Sequence, residues 1–163
     1  MRVVKNISRE VIMKFNKKVS TMVLGTLMAA AATAFASVAP QQVALGGIEP
    51  GMSLEQAKNL GGEIAYSDYE KTVFKSGLII KVDDDRPGVV EEVAVKNGEV
   101  KTPAGIALGM SADKLNEAYG QADKIDSDRQ DTEYKYFTAD GSKEIEFTVK
   151  NGVITKISCE LRH

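Results

Sequence analysis

The chain has 163 residues, 21 Lys/Arg against 23 Asp/Glu, one histidine, one cysteine and no tryptophan. Six of the basic residues and one acidic residue fall within positions 1–36, so the remainder carries 15 against 22, a net charge near −7. An acidic body lacks the basic footprint that nucleic acid or an anionic membrane requires, and a lone Cys159 cannot form an intramolecular disulfide.

In chain order, Lys14-Phe15-Asn16-Lys17-Lys18 precede a mostly apolar stretch over 19–32, followed by Ala34-Phe35-Ala36. A basic region, a short apolar region and a small-x-small site read as a secretory signal over 1–36. Residues before Met13 add nothing to that signal, so translation is expected to start at Met13. Cutting after Ala39 would place Pro40 beside the scissile bond, and the expected cut is after Ala36. Ser20, Thr21, Gly25 and Thr26 interrupt the apolar stretch, which falls short of a spanning helix; an uncleaved anchor is the alternative. No cysteine follows that could carry a lipid. The expected product is exported, periplasmic or secreted, and soluble without a stable membrane anchor. Residues 37–46, small and uncharged with Pro40, Gln41 and Gln42, read as a flexible tether.

Gly47-Ile48-Glu49-Pro50-Gly51-Met52-Ser53 returns fifty-eight residues later as Gly105-Ile106-Ala107-Leu108-Gly109-Met110-Ser111, identical at five of seven positions. The duplication divides the rest into repeat 1 over 47–104 and repeat 2 over 105–163, expected to form one compact body. Ser53 with Gln56 makes a capping box, Met52 can staple onto Ala57, and Gly61-Gly62 end the first helix. In the second copy Ser111 is the expected cap, Asp113 complements the helix dipole, Met110 can staple onto Leu115, and Gly120 terminates.

After each helix the apolar period changes from about 3.6 to 2. Strands are expected over 69–74, 78–83 and 89–95, and over 132–137, 144–150 and 153–161, with Asn151-Gly152 the strongest hairpin signal. The last strands align sixty-four residues apart, so repeat 2 gains about six residues, at 121–130 or around 140–143. Alternation turns Val153, Thr155, Ile157, Cys159 and Leu161 to one side and Lys156, Ser158 and Glu160 to the other. The expected fold class is therefore α+β: two tandem α-β-β-β repeats, short helices packed on one face of an antiparallel sheet, the other face polar.

The G-I-x-x-G-M-S opening, a helix closing on Tyr119-Gly120, and a meander ending in Asn151-Gly152-Val153-Ile154-Thr155-Lys156-Ile157 resemble the SmpA/OmlA-like and beta-lactamase-inhibitor-protein-like superfamily of exported bacterial proteins. The resemblance covers about 48–161. It implies action by protein–protein contact, as an envelope scaffold or as an inhibitor gripping an enzyme with a sheet face. The chain departs from that pattern in having two copies without a lipid anchor, and no disulfide or tryptophan, so no binding residues carry over.

No nucleophile system, metal set or phosphate loop is visible, and the expectation is no enzyme and no cofactor. His163 is the last residue and a poor catalytic or zinc-binding group. Cys159 sits in the inward series and reads as a buried, inert thiol. Asp83, Asp84 and Asp85 are a weak calcium candidate, since they lack the spacing and distal Glu of a calcium loop; a solvated hairpin tip paired with Arg86 is the plainer reading. Asp126, Asp128 and Asp131 are weaker still. The leading functional expectation is an extracytoplasmic protein-binding module that uses Tyr66, Tyr69, Asp84, Arg86, Asp128 and Arg129. The alternative is a small-ligand or cell-wall-polymer site in a groove between the repeats, lined by Tyr66, Tyr69, Tyr134 or Tyr136.

Overall fold

A computed structural model describes residues 37–163. The signal and the Met13 start fall outside the described residues. The elements are a 3-10 turn at Pro40–Gln42, α1 (Leu54–Gly61), β1 (Ile64–Ser67), β2 (Lys71–Phe74), β3 (Leu78–Val82), β4 (Val90–Val95), α2 (Asp113–Tyr119), β5 (Lys124–Ser127), β6 (Thr132–Phe137), β7 (Lys143–Lys150) and β8 (Val153–Leu161). All eight strands form one antiparallel sheet in the order β1-β2-β3-β4-β8-β7-β6-β5.

This overturns the expected α+β fold of two tandem α-β-β-β repeats. The body is an eight-stranded antiparallel sheet with two short helices of eight and seven residues, and each half contributes four strands. The overlooked strands, β1 and β5, are the two sheet edges, four residues long and mostly exposed. Edge strands bury little, so their sequences carry almost no alternation to read.

The repeated motif has one structural task, carried out identically in both halves. Gly51 N–H donates to the Val90 carbonyl at 2.7 Å and Val90 N–H to the Met52 carbonyl at 2.9 Å. In the second half Gly109 N–H donates to Ile154 and Ile154 N–H to Met110, both at 2.9 Å. Gly51 and Gly109 hold φ of 89° and 82°, which an L side chain rarely adopts. Each helix start is thereby laced to the last strand of its own half.

The caps agree with sequence in the first half and differ in the second. Ser53 Oγ accepts from Gln56 N–H at 3.3 Å and donates to the Gln56 side chain at 2.9 Å. The N-cap of α2 is Ala112, not Ser111; Ser111 Oγ sits one residue earlier and accepts from Asp113 N–H at 3.4 Å. Both serines stand in an antiparallel bridge to the last strand of their own half, Ser53 to Val89 and Ser111 to Val153, so the difference lies at Ala112, whose backbone is already helical at φ −56° and ψ −26°.

Both helices lie on one face. Ala57, Leu115 and Tyr119 join Phe74, Leu78, Ile80, Val93, Val95, Ile145, Phe147, Ile157 and Cys159 in a single buried cluster. In the first half the sheet supplies the ring that fills the helix–sheet gap, and Gly61 makes room: a Cβ there would fall 2.4 to 2.7 Å from three Phe74 ring atoms. In the second half the helix supplies it, with Tyr119 packed 5.3 Å from both Tyr136 and Phe147.

The segment 37–46 is not a flexible tether. Val38 N–H donates to the Phe137 carbonyl at 2.9 Å, and Val38, Val43, Ala44 and Leu45 are buried. Its apolar residues complete the core beyond the helices, a reason that composition alone conceals. The extra residues of the second half fall chiefly in a longer β7 and the β6–β7 turn at 138–142. No helix among the described residues is long and apolar enough to cross a membrane.

Candidate functional site

Among the described residues no element covers the sheet face opposite the helices. Strand pairing aligns its outward side chains in rows that cross the join between the halves. One row runs Lys71, Lys81, Glu92, Glu160, Glu144 and Phe137. The next runs Val73, Ile79, Ala94, Ser158, Glu146, Lys135 and Lys124.

Three glutamates therefore stand side by side on β4, β8 and β7, where cross-strand neighbours lie roughly 5 Å apart and like charges oppose pairing. The flanking cations offset this unequally. Lys81 pairs with Glu92, Arg162 Nε with Glu144 at 3.0 Å, and Lys135 and Lys156 with Glu146 at 2.9 and 3.4 Å. Arg162 also stacks 4.1 Å over the Phe137 ring. The Glu146 hydrogen bond holds the Lys135 ammonium above its usual range, against the opposing effect of burial.

Glu160, at the centre, forms no ion pair among the described residues. Burial pushes its carboxyl up to about 7, reinforced by a hydrogen bond with Glu144 and by the charges of Glu144, Glu92 and Glu146. Glu92, Glu144 and Glu146 are buried although they lie on the open face, each engaged by a neighbouring cation. Nothing in the residue order marks this cluster; the Glu parity in each strand is legible, but the pairing of β4 with β8 is not.

The residues expected to bind a partner come together only in part. Tyr66 and Tyr69 are exposed, at 53% and 86%, by the β1–β2 turn, where Tyr66 Oη donates to Asp68 at 2.8 Å. Asp84 and Arg86 share that end of the sheet, in the β3–β4 loop, whereas Asp128 and Arg129 occupy the β5–β6 turn at the opposite end. The two halves are not separated within the sheet, because β4 and β8 hydrogen-bond directly. Tyr136 is buried, 1% exposed, in the aromatic cluster, and Tyr134 packs against the same core.

The acidic turns serve the backbone. Asp83 is buried, and its Oδ1 accepts from the amides of Asp85 and Arg86, both at 3.0 Å, while Oδ2 accepts from Arg86 Nε at 2.9 Å. Burial raises its carboxyl, but the Arg86 and turn hydrogen bonds outweigh burial and hold it below the usual range. Asp128 Oδ1 accepts from the amides of Gln130 and Asp131, which hold it low too. Among the described residues no group of three His, Cys, Asp or Glu is placed to hold a metal ion. Cys159 is buried, and burial pushes its thiol well above the usual range. His163 Nε2 lies 3.7 Å from Glu91 on the exposed C-terminus.

These features define an antiparallel-sheet protein with one helix-covered face and one open, ion-paired face. No protein-family model matches the chain. A search of curated proteins finds no match. Among solved structures it is similar to a DUF4309 family protein, YjgB, from Bacillus subtilis, with 12% identity, a TM-score of 0.48, and coverage of 68% of this chain and 78% of that one.

Proposed function

We propose that this protein is a non-enzymatic, extracytoplasmic module that docks a protein partner on the open face of its sheet. The observation that carries the reading is the asymmetry of the sheet: helices and the 37–48 segment cover one face, and no element among the described residues covers the other. That face offers charges in fixed rows, with Ile79 and Val73 half-buried among them. Fixed charges favour specificity in association more than raw affinity. Export rests on the signal expected over 1–36, and the acidic body speaks against nucleic acid. Asp128 and Arg129 lie at the opposite end of the sheet from Tyr66, Tyr69, Asp84 and Arg86, so the six cannot form one contact patch, and the proposed surface is the sheet face between them.

A photo-crosslinking side chain at Ile79 or Thr148, on the open face, tests this in the native envelope. Adducts with one discrete protein support the proposal. Capture of wall fragments without protein would replace it with the polymer-binding alternative.

A further inference from the structure

The join between the two halves consists of the β4–β8 pairing, and its open side is the Glu92–Glu160–Glu144 row. We propose that this row is a pH-sensitive joint: Glu160 takes up a proton from solvent and donates it in a hydrogen bond to Glu144, tying β8 to β7, and releases it at higher pH to leave adjacent carboxylates that loosen the seam.

The geometry supports the device from every side. From β4, Glu92 faces Glu160, and its charge is taken by Lys81 of β3. From β7, Glu144 faces it with one oxygen held by Arg162, and Glu146 stands one pair further along, held by Lys135 of β6 and Lys156 of β8. Beyond the strand, His163 is engaged near Glu91. Lys81 feels the charge of Glu160 but bonds to Glu92. Each cation within reach thus serves another carboxylate, and Glu160 finds only an acceptor, Glu144, that a proton can bridge. The raised carboxyl, about 7, agrees with this arrangement.

The sign follows from linkage. A carboxyl whose folded value exceeds its unfolded value of 4.5 contributes stability that is complete below about 4.5 and is lost as pH rises through about 7. The joint is tight in mild acid and weak above neutrality.

The experiment compares thermal unfolding of the wild-type protein and Glu160→Gln at about pH 5 and about pH 8.5. Glutamine keeps the shape and a donor for Glu144 but cannot ionise. The two proteins should melt together in acid, and the wild type should melt about 5 °C lower at the alkaline pH. The same pH dependence in both would overturn the proposal. Should Glu160→Gln not fold, carboxyl-carbon NMR of wild-type protein labelled at glutamate decides: one carboxyl must titrate near 7, and titration of every glutamate in the ordinary range refutes it. Neither readout depends on a partner, so the outcome is separate from that of the docking proposal.

Discussion

Gly61→Ala sets two opposing effects against each other at one atom. Alanine is the better helix former, by up to about 1 kcal/mol in a helix interior and less at a last turn. Against that, the new methyl would lie 2.4, 2.5 and 2.7 Å from Phe74 Cζ, Cε1 and Cε2. Phe74 is 1% exposed and surrounded by core, so its ring cannot swing away into solvent. Overpacking of this kind costs about 1–3 kcal/mol, and the net expectation is a loss of about 1–2 kcal/mol. Equilibrium denaturation in urea measures it, and the cause is isolated by a double-mutant cycle with Phe74→Leu. In the leucine background, where the ring is gone, Gly61→Ala should be neutral or stabilising, giving a coupling of about 1–2 kcal/mol. A Gly61→Ala protein as stable as wild type, or additive losses in the double mutant, would refute the claim that Gly61 makes room for the Phe74 ring.

Three further expectations rest on single groups. Tyr119 Oη is buried without a hydrogen-bond partner among the described residues, so Tyr119→Phe should be neutral or raise stability by about 1 kcal/mol in the same denaturation assay. The Asp140 carboxyl is held at about 2 by the Thr138 hydroxyl at 2.6 Å and by Ser142. Its contribution is present above the ordinary Asp value and lost as pH falls through about 2, so the Ser142 amide should stay protected in mild acid and exchange only in strong acid, by hydrogen-exchange NMR. Cys159 should resist a thiol reagent in native buffer and react at once in denaturant, since the reactive species is a thiolate that burial suppresses; fast native labelling would contradict its placement between Val93 and Ile145.

Much of the fold was written in local signals. The capping box at Ser53 and Gln56, the terminating Gly62 and Gly120 and the Asn151-Gly152 hairpin act within a few residues and stand where expected. Of the expected inward series, Ile157 and Cys159 are buried, but Val153 and Thr155 are exposed and Ile154 is buried instead, because a bulge at Thr148/Val149 shifts the register of the first half of β8. The failures share a different cause. Strands β1 and β5 are edges with one neighbour each and little burial, so neither alternation nor composition announces them. The 37–46 segment looks like a tether because Val38, Val43 and Leu45 are spaced irregularly, and their burial is decided by the shape of a distant core. Ser111 copies Ser53 in sequence and in its bridge to the last strand, but α2 is entered through Ala112, whose helical backbone displaces the cap by one residue. The carboxylate row needed one non-local fact, that β4 pairs with β8, which brings Glu92 within a strand's width of Glu160 from sixty-eight positions away. The Asp83 and Asp128 turns were conspicuous as acids, yet their oxygens are engaged by their own backbone.

The central claim, that the uncovered sheet face is the working surface, is tested most directly by position-specific photo-crosslinking in the native envelope. A crosslinker at Ile79 or Thr148 reports on the open face, and one at Glu55 or Asn59 reports on the exposed side of α1. The account predicts a discrete protein adduct from the two sheet positions and none from the two helix positions. Adducts that form equally from both sides, or only from the helix, would contradict it.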